Sequence, residues 1–297
     1  MIFTVTLNPS LDYHLTPGNI QQGGLHRCEK PYYVAGGKGI NVSALLAGLG
    51  VPTKALGFVG GFVGQQLENM LDAQNIPHDF TKISQNTRLN VKMDGEAETE
   101  FNAPGPVVTA AEWEDLMAKV KALQPGDILV LSGSLCGGLP SEPYGLLAAA
   151  AKGAGADFVL DTTLQNMGAA LTMGPLFIKP NIAELSEMVG RDLPTTQDVY
   201  AACREMIGRG AKSVLCTMGG EGACFVDENV ALFCAAPKGE VINTIGSGDS
   251  TVAGLCAKWS CDPLQKLKFA IACGSASAFT AGLATAKQID DVLKEMN

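Results

Sequence analysis

“NTIGSGDSTVAGL”, residues 243–255, surrounds a single aspartate, Asp249, with glycines and small hydroxyl residues just before an apolar run. Val252 and Leu255 within that run have helical spacing, so the motif is predicted to lie at a helix N-terminus. Backbone N–H groups are unpaired there, the helix dipole is positive, and glycine lets an anion approach the backbone closely. The stretch therefore predicts a phosphate-binding turn followed by a helix.

Asp249 is the candidate general base of this turn. A phosphate bound to the backbone amides of Ile245, Gly246, Ser247 and Gly248 would lie beside its carboxylate, within reach of a hydroxyl about to attack. The alternative is that Asp249 only caps the helix, because aspartate and serine are favoured there. Three other motifs are missing: the Walker A loop, the G-x-G-x-x-G dinucleotide fingerprint and the G-x-S-x-G nucleophile elbow.

Length and composition favour an α/β protein. The chain has 297 residues, is 46% hydrophobic and contains 35 glycines, which suits the many tight strand–helix turns of such folds. We predict one domain over residues 1–297. The net charge of −9 argues against nucleic acid or an anionic membrane as the main partner.

Cysteine and histidine usage predicts a reducing compartment and no zinc site. The nine cysteines include no C-x-x-C pair, and only three histidines are present. The N-terminal residues form a short strand pattern rather than a signal peptide, and no apolar run is long enough to span a membrane. We therefore expect a cytoplasmic protein.

Strand and helix patterns alternate along most of the chain, which predicts a mainly parallel, doubly wound sheet flanked by helices. Strands are predicted at 2–7, 54–60, 127–133, 157–161, 175–180 and 212–218, and helices at 39–50, 62–75, 110–124, 141–153, 182–189, 196–209, 248–260, 263–281 and 286–296. Within 11–35 and 87–102, polar residues alternate with aromatic and β-branched ones, which predicts a small antiparallel β lid. Such a lid could also be a dimerisation surface.

Three further motifs are candidates for ligand binding. Gly37 and Lys38 begin a predicted helix with Asn41 one turn later, which suits a phosphate and a sugar hydroxyl, although an exposed glycine turn fits equally. In “KPNIAEL”, residues 179–185, Asn181 and Glu184 share one helix face and could hold a hydrated Mg²⁺ through water, or simply cap the helix. “TMGGEGA”, residues 217–223, could line a nucleotide or be a plain hairpin turn.

Taken together and in this order, the motifs resemble the ribokinase/PfkB carbohydrate kinase family. The resemblance covers nearly the whole chain and rests on “LNPSLDY”, “GGKGIN”, “TRLNVK”, “SGSLCGGLP”, “KPNIAEL”, “TMGGEGA” and “GSGDST”. “TLNPSLDY”, “TRLNVK” and “TEFNAPGP” are similar to the branch of 1-phosphofructokinases and tagatose-6-phosphate kinases. The resemblance implies a ribokinase-like fold and transfer of the γ-phosphoryl group of ATP, with Mg²⁺, to a small sugar phosphate.

The resemblance also implies a role for each matching residue. Asp249 would be the base, with the Gly246, Ser247 and Gly248 amides as the anion hole. Asp12, Gly37 and Asn41 would hold sugar hydroxyls, and Lys38, Arg88 and Ser134 the existing phosphate. Nucleotide and metal would be bound by Lys179, Asn181, Glu184, Thr217, Gly219, Gly222 and Ser275.

The sequence departs from the family pattern at two places. Ser247 stands where the family commonly has alanine, and Cys136-Gly137 replace two prolines common in this branch. Fructose 1-phosphate is the first expected substrate, with tagatose 6-phosphate or fructose 6-phosphate as alternatives. A non-catalytic sugar-phosphate-binding regulator is the alternative from another class, but it should have lost the base or the anion-hole glycines.

Overall fold

A computed structural model describes residues 1–16, 23–93 and 99–296. The predicted lid segments include residues 17–22 and 94–98, which lie outside the described residues. No helix in the described part is both long and apolar enough to cross a membrane. The strands are β1 (Ile2–Thr6), β2 (Ser10–Thr16), β3 (Glu29–Gly36), β4 (Thr53–Val59), β5 (Thr81–Lys82), β6 (Arg88–Met93), β7 (Thr99–Phe101), β8 (Ile128–Ser132), β9 (Asp157–Asp161), β10 (Ser213–Thr217), β11 (Gly222–Asp227) and β12 (Ala231–Ala235).

The helices agree with the predicted ones to within a few residues at their ends. They are α1 (Lys38–Gly48), α2 (Gly61–Ala73), α3 (Ala110–Lys121), α4 (Pro143–Gly153), α5 (Leu164–Thr172), α6 (Ile182–Val189), α7 (Thr196–Gly208), α8 (Ser247–Ala257), α9 (Pro263–Ala278) and α10 (Ala286–Glu295). Helix α5 was not predicted, because Gly168 interrupts its pattern with the non-helical angles φ 40°, ψ −132°.

The main sheet is parallel and covered on both faces, as predicted. Its five strands run in the order β5-β4-β1-β8-β9. Successive residues of β8 point to opposite sides, so Leu129 and Leu131 join the apolar core that contains α3, α4 and α7. Val130 joins the second core with α1, α8 and α9. This two-sided burial is why the strands read as continuous apolar runs.

The strand predicted at 175–180 is wrong as a regular strand. Only Ile178 pairs like a strand residue, bridging Leu160 of β9 on one side and Val214 of β10 on the other. Pro175 and Pro180 bracket this short segment, and proline has no N–H to donate to a ladder. The segment still connects the five-stranded sheet to the antiparallel sheet β10-β11-β12, because its backbone also hydrogen-bonds to Phe158 of β9 and Thr217 of β10.

A separate four-stranded sheet forms the lid, in the order β3-β2-β6-β7. The pairs β2–β3 and β6–β7 are antiparallel, as predicted, whereas β2 and β6 run parallel. The parallel pair arises because α1, β4, α2 and β5 separate these strands in the chain, which is a crossover connection rather than a hairpin. Side chains at alternate positions, such as Asp12 and Asn90, face the carboxyl ends of the main sheet.

Candidate active site

A cavity of about 670 Å³ lies between the lid and the carboxyl ends of the parallel strands. Ligand sites of open α/β sheets are found at this edge. Ten of the residues chosen from the sequence line the cavity: Asp12, Gly37, Lys38, Asn41, Arg88, Ser134, Glu184, Ile245, Gly246 and Asp249. The lid, the start of α1 and the start of α8 are thus brought together around one space.

Helix α8 begins where the glycine motif predicts. Gly246 precedes it in a left-handed conformation with φ 77°, which glycine adopts without strain. Ser247 and Gly248 do not line the cavity themselves, but they start the first turn, whose N–H groups have no intrahelical acceptors. The Ser247 hydroxyl donates to the carbonyl oxygen of Thr244 at 2.9 Å, so serine in place of alanine adds no unpaired group.

Asp249 is not a helix cap, because no side-chain capping bond is present at the start of α8. Its Oδ2 instead accepts a hydrogen bond from Asn41 Nδ2 of α1 at 2.8 Å. Asp249 is only 6% exposed, and this burial, together with nearby Asp161, raises its pKa to about 6, although Asn41 and Lys38 act in the opposite direction. A carboxylate with this pKa can accept a proton near neutral pH.

Asp161 is a site residue that the sequence reasoning missed. It ends β9, is 1% exposed, and its Oδ1 lies 3.1 Å from Lys38 Nζ and 3.3 Å from Lys179 Nζ. Burial lowers the pKa of Lys38, but Asp161 and Asp249 outweigh it and leave the pKa raised. Two ammonium groups are thereby held beside the base. The sequence signal that could have identified Asp161 is an acidic residue at the end of an apolar strand pattern.

The residues proposed for sugar hydroxyls form a connected group on the lid. Asp12 Oδ1 accepts hydrogen bonds from Ser10 Oγ at 2.7 Å and Asn90 Nδ2 at 2.8 Å. A Cβ atom on Gly36 would lie 2.4 Å from Ser10 Oγ and 2.8 Å from Asp12 Oδ2, so only glycine fits beside this carboxylate. Ser10 and Asn90 were not chosen from the sequence, since their role depends on strand pairing.

Arg88 and Ser134 are both linked to Asn8. Arg88 Nη2 donates to the Asn8 carbonyl oxygen at 3.1 Å, and Asn8 Nδ2 donates to Ser134 Oγ at 3.4 Å. Burial lowers the pKa of the Arg88 guanidinium, with Asp12 opposing that effect. Arginine remains protonated under such a shift, so a fixed positive charge lies at this end of the cavity.

The buried polar atoms that lack a partner are concentrated at this site. Throughout the described chain, the fully buried side-chain N and O atoms without a hydrogen bond are Thr6 Oγ1, Asn8 Oδ1, Arg88 Nε, Ser132 Oγ and Asp161 Oδ2. Thr6 and Asn8 line the cavity, and Thr6, Ser132 and Asp161 are register partners at the ends of β1, β8 and β9. Because unpaired buried groups are costly, this concentration indicates a site for ligands or bound water.

The predicted metal residues form a helix cap. Asn181 Oδ1 accepts the Glu184 N–H and Glu184 Oε2 accepts the Asn181 N–H, each at 2.8 Å, which is a capping box at the start of α6. Glu184 also lines the cavity. Within the described ranges, no group of three or more His, Cys, Asp or Glu side chains could hold a metal ion alone. Their role towards Mg²⁺ therefore stays a prediction.

The other predicted nucleotide residues lie outside the cavity. Thr217 pairs with Asn181, and a 3-10 turn at Gly219–Glu221 then leads into β11 at Gly222, so “TMGGEGA” is a hairpin turn next to the start of α6. Ser275 lies in α9. Lys179 is 6% exposed, and its Nζ is 3.5 Å from where a Cβ of Gly248 would be, so it lies next to the first turn of α8.

The family follows from comparison with known proteins. Residues 7–290 match the model described as pfkB family carbohydrate kinase. The chain belongs to this family. It is 38% identical to a 1-phosphofructokinase of Bacillus subtilis, covering 100% of this chain and 98% of the relative. It is 31% identical to a D-tagatose-1-phosphate kinase of Bacillus licheniformis, with the same coverage. The family and branch predicted from the motifs are thus confirmed.

A solved structure agrees with the fold. Phosphofructokinase-2 of Escherichia coli in complex with substrates and products has a TM-score of 0.94 and 31% identity, covering 99% of each chain. The predicted α/β fold of ribokinase-like kinases is therefore confirmed for this member of the family.

Proposed function

We propose that residues 1–297 form one kinase domain that transfers the γ-phosphoryl group of ATP to fructose 1-phosphate, giving fructose 1,6-bisphosphate. One observation carries the proposal. A buried carboxylate with a raised pKa, Asp249, faces the sugar side of the cavity one residue after the glycines of an anion-binding helix start. This is the arrangement that phosphoryl transfer to a hydroxyl requires.

In the proposed reaction, Asp249 takes the proton of the sugar hydroxyl while the hydroxyl oxygen attacks the γ-phosphorus. The bond to the bridging oxygen breaks, and ADP leaves with that electron pair. The N–H groups at the start of α8 face the charge that develops on the transferred phosphoryl oxygens. Asn41 holds the carboxylate of Asp249 through its 2.8 Å hydrogen bond, so the base is positioned before substrate binds.

The two lysines at Asp161 suit the transferred phosphoryl group better than the substrate's existing phosphate. Lys38 and Lys179 both lie within 3.3 Å of Asp161 Oδ1, and both influence the pKa of Asp249. We therefore assign Lys38 to the transfer centre, which revises its sequence-based role. The existing phosphate is left to Arg88 and Ser134, which meet at Asn8.

The donor set fits Mg²⁺ carried by the nucleotide. The unpartnered oxygen of Asp161 and the cavity-lining Glu184 supply carboxylates near the proposed γ-phosphate, and Mg²⁺ is bound by few protein carboxylates together with phosphates and water. The metal would neutralise phosphate charge during transfer. Asn181, Thr217, Gly219, Gly222 and Ser275 are proposed for the nucleotide side.

Tagatose phosphates and fructose 6-phosphate remain the alternatives. One relative is named for tagatose 1-phosphate, and the structurally similar Escherichia coli enzyme is a phosphofructokinase-2. A non-catalytic regulator is disfavoured because Asp249, Gly246 and Gly248 are all retained. A cytoplasmic location and a homodimer through the lid, whose Tyr33 and Phe101 are exposed, also belong to this proposal.

The test is an ADP-release assay with Mg-ATP that compares kcat/KM for fructose 1-phosphate, fructose 6-phosphate, tagatose 1-phosphate, tagatose 6-phosphate and fructose. We expect fructose 1-phosphate to be preferred. Asp249→Asn should lower kcat by about 10²–10⁴ with little change in ATP affinity, while Glu114→Gln, an exposed acid on α3, should leave it unchanged. Preference for another sugar phosphate would change the assigned substrate. A near-normal kcat in Asp249→Asn would refute the mechanism.

A further inference from the structure

A second cavity, of about 490 Å³, lies where β10 begins and α8 ends, whereas the proposed active site lies where α8 begins. Its walls include Ser213 at the start of β10 and Asp227 at the end of β11, which is antiparallel to β10. Trp259, just beyond the C-terminus of α8, and Lys266 of α9 complete one side. The volume falls within the range of about 300–1,000 Å³ that is usual for small-molecule sites.

Lys266 is the unusual residue of this cavity. It is only 8% exposed, and its Nζ lies 4.3 Å from the centre of the Trp259 ring and 4.5 Å from that of Phe225. Over the described ranges it has neither an ion pair nor a hydrogen bond. Burial accordingly lowers its pKa, although Asp227 and Asp262 oppose that effect. The two rings stabilise the ammonium through cation–π interactions, but neither ring offers a conventional hydrogen-bond acceptor to its N–H groups.

The two carboxylates that act on the pKa of Lys266 each accept hydrogen bonds from backbone N–H groups of their own turn. Asp227 Oδ1 accepts the N–H groups of Asn229 and Val230 at 2.8 and 2.9 Å. Asp262 Oδ1 caps α9 by accepting the N–H groups of Leu264 and Gln265, both at 3.1 Å. Neither carboxylate lies within ion-pair distance of Lys266, so its largely buried side chain ends in an accessible ammonium whose donors are unused in the described chain.

We propose that this cavity binds a small organic anion whose carboxylate or phosphate monoester group pairs with Lys266. The ammonium has no hydrogen-bond acceptor in the described chain, and an anionic group supplies one through a charge-assisted hydrogen bond. Trp259, whose indole N–H has no partner in the part of the chain described, also lines the cavity. Leu176, Ile207 and Ala211 form an apolar wall, which suits a ligand with a flat or aliphatic body.

The alternative is that Lys266 serves only packing, with its stem and ammonium covering two aromatic rings. The two explanations differ in one respect. A packing role needs no acceptor, so anions and neutral molecules of the same shape would behave alike. A binding role requires both the positive charge of Lys266 and a negative charge on the ligand.

The test uses the fluorescence of Trp259 in a Trp113→Phe background, because these are the two tryptophans of the chain. Benzoate and phenyl phosphate are the probes, and benzyl alcohol is the uncharged control. We expect saturable changes with one or both anions and none with benzyl alcohol. Lys266→Met should weaken binding about 10–100-fold, the loss expected for a hydrogen bond to a charged group.

Two further variants keep the result interpretable. Lys266→Arg retains the charge and should retain binding. Lys258→Met removes a neighbouring lysine that lies over Phe269 and does not line the cavity, so it should bind like the parent. Thermal unfolding verifies that each variant is folded. No saturable binding of either anion, equal binding of benzyl alcohol, or full affinity in Lys266→Met would each overturn the proposal, whether or not the chain is a kinase.

Discussion

Replacing Asn41 with alanine isolates the hydrogen bond that holds the proposed base. Asn41 Nδ2 donates to Asp249 Oδ2 at 2.8 Å and thereby stabilises the ionised carboxylate, which opposes the effect of burial; with this bond present the pKa is about 6. A hydrogen bond to a charged group contributes about 1.5–3 kcal/mol, and one pKa unit corresponds to about 1.4 kcal/mol. Asn41→Ala should therefore raise the pKa of Asp249 by about one to two units.

The assay is the pH dependence of kcat/KM for fructose 1-phosphate, because this parameter reports ionisations of the free enzyme. The base acts when deprotonated, so activity falls as the pH drops below its pKa. The acid limb of Asn41→Ala should be displaced to higher pH. The phosphate of the substrate also titrates near pH 6, at about its second pKa, but it contributes equally to both enzymes, so the difference between them is diagnostic.

A control and a refuting result complete this prediction. Ser186→Ala on α6 removes a hydroxyl that donates to the Arg191 carbonyl oxygen, and it should leave the acid limb in place. Since Asn41 is also proposed to touch the sugar, KM is expected to rise at every pH, which is separate from the displaced limb. An acid limb that stays in place, or that is displaced to lower pH, would show that Asn41 does not control the ionisation of Asp249.

Three other predictions concern stability and are measured by urea unfolding of the free protein. The pKa of Asp249 in the folded protein lies above its ordinary value of 3.8, so the ionised carboxylate destabilises the fold, fully so above about pH 6. Asp249→Asn should therefore raise the free energy of unfolding by up to about 3 kcal/mol at pH 8. This gain should disappear as the pH falls towards 4. A gain independent of pH would contradict this. Tyr144→Phe should cost about 1–3 kcal/mol, because the fully buried hydroxyl donates its one proton towards the Ser132 carbonyl oxygen at 2.9 Å, with that of Gly133 at 3.1 Å as the alternative acceptor; an unchanged midpoint would contradict it. Gly57→Ala should cost more than about 2 kcal/mol, because φ is 141° and the new Cβ would lie 2.0 Å from the Thr6 carbonyl oxygen; wild-type stability would refute that clash.

Much of the fold follows from local patterns in the chain. The βα alternation, the separate lid and the start of α8 at the glycine motif are all confirmed, because each depends on periodicity or on backbone requirements of neighbouring residues. The regular strand expected at 175–180 failed because only Ile178 forms strand bridges, although Leu176 and Pro180 also form backbone hydrogen bonds with β9 and β10. Helix α5 escaped prediction for an equally local reason, the kink at Gly168.

The candidate site was predictable only in part. Residues embedded in glycine-rich or capped motifs, such as Gly246 and Asp249, could be chosen by their local chemistry. Asp161 and Asn90 were not chosen, because the end of an apolar strand and a place in “TRLNVK” do not show which side chains they meet. Their roles come from partners supplied by other elements: Lys38 and Lys179 for Asp161, and Asp12 for Asn90.

The sequence by itself predicted most of the element types, the position of the glycine-rich helix start and Asp249 as the candidate base. Tertiary structure decided how those pieces act on one another. Asn41 and Asp249 are 208 residues apart in the chain yet share a 2.8 Å hydrogen bond, and Asp161 faces two lysines from other segments. The physical reason is that strand register sets which side chains meet at the carboxyl edge of the sheet, and burial there sets the pKa of the base.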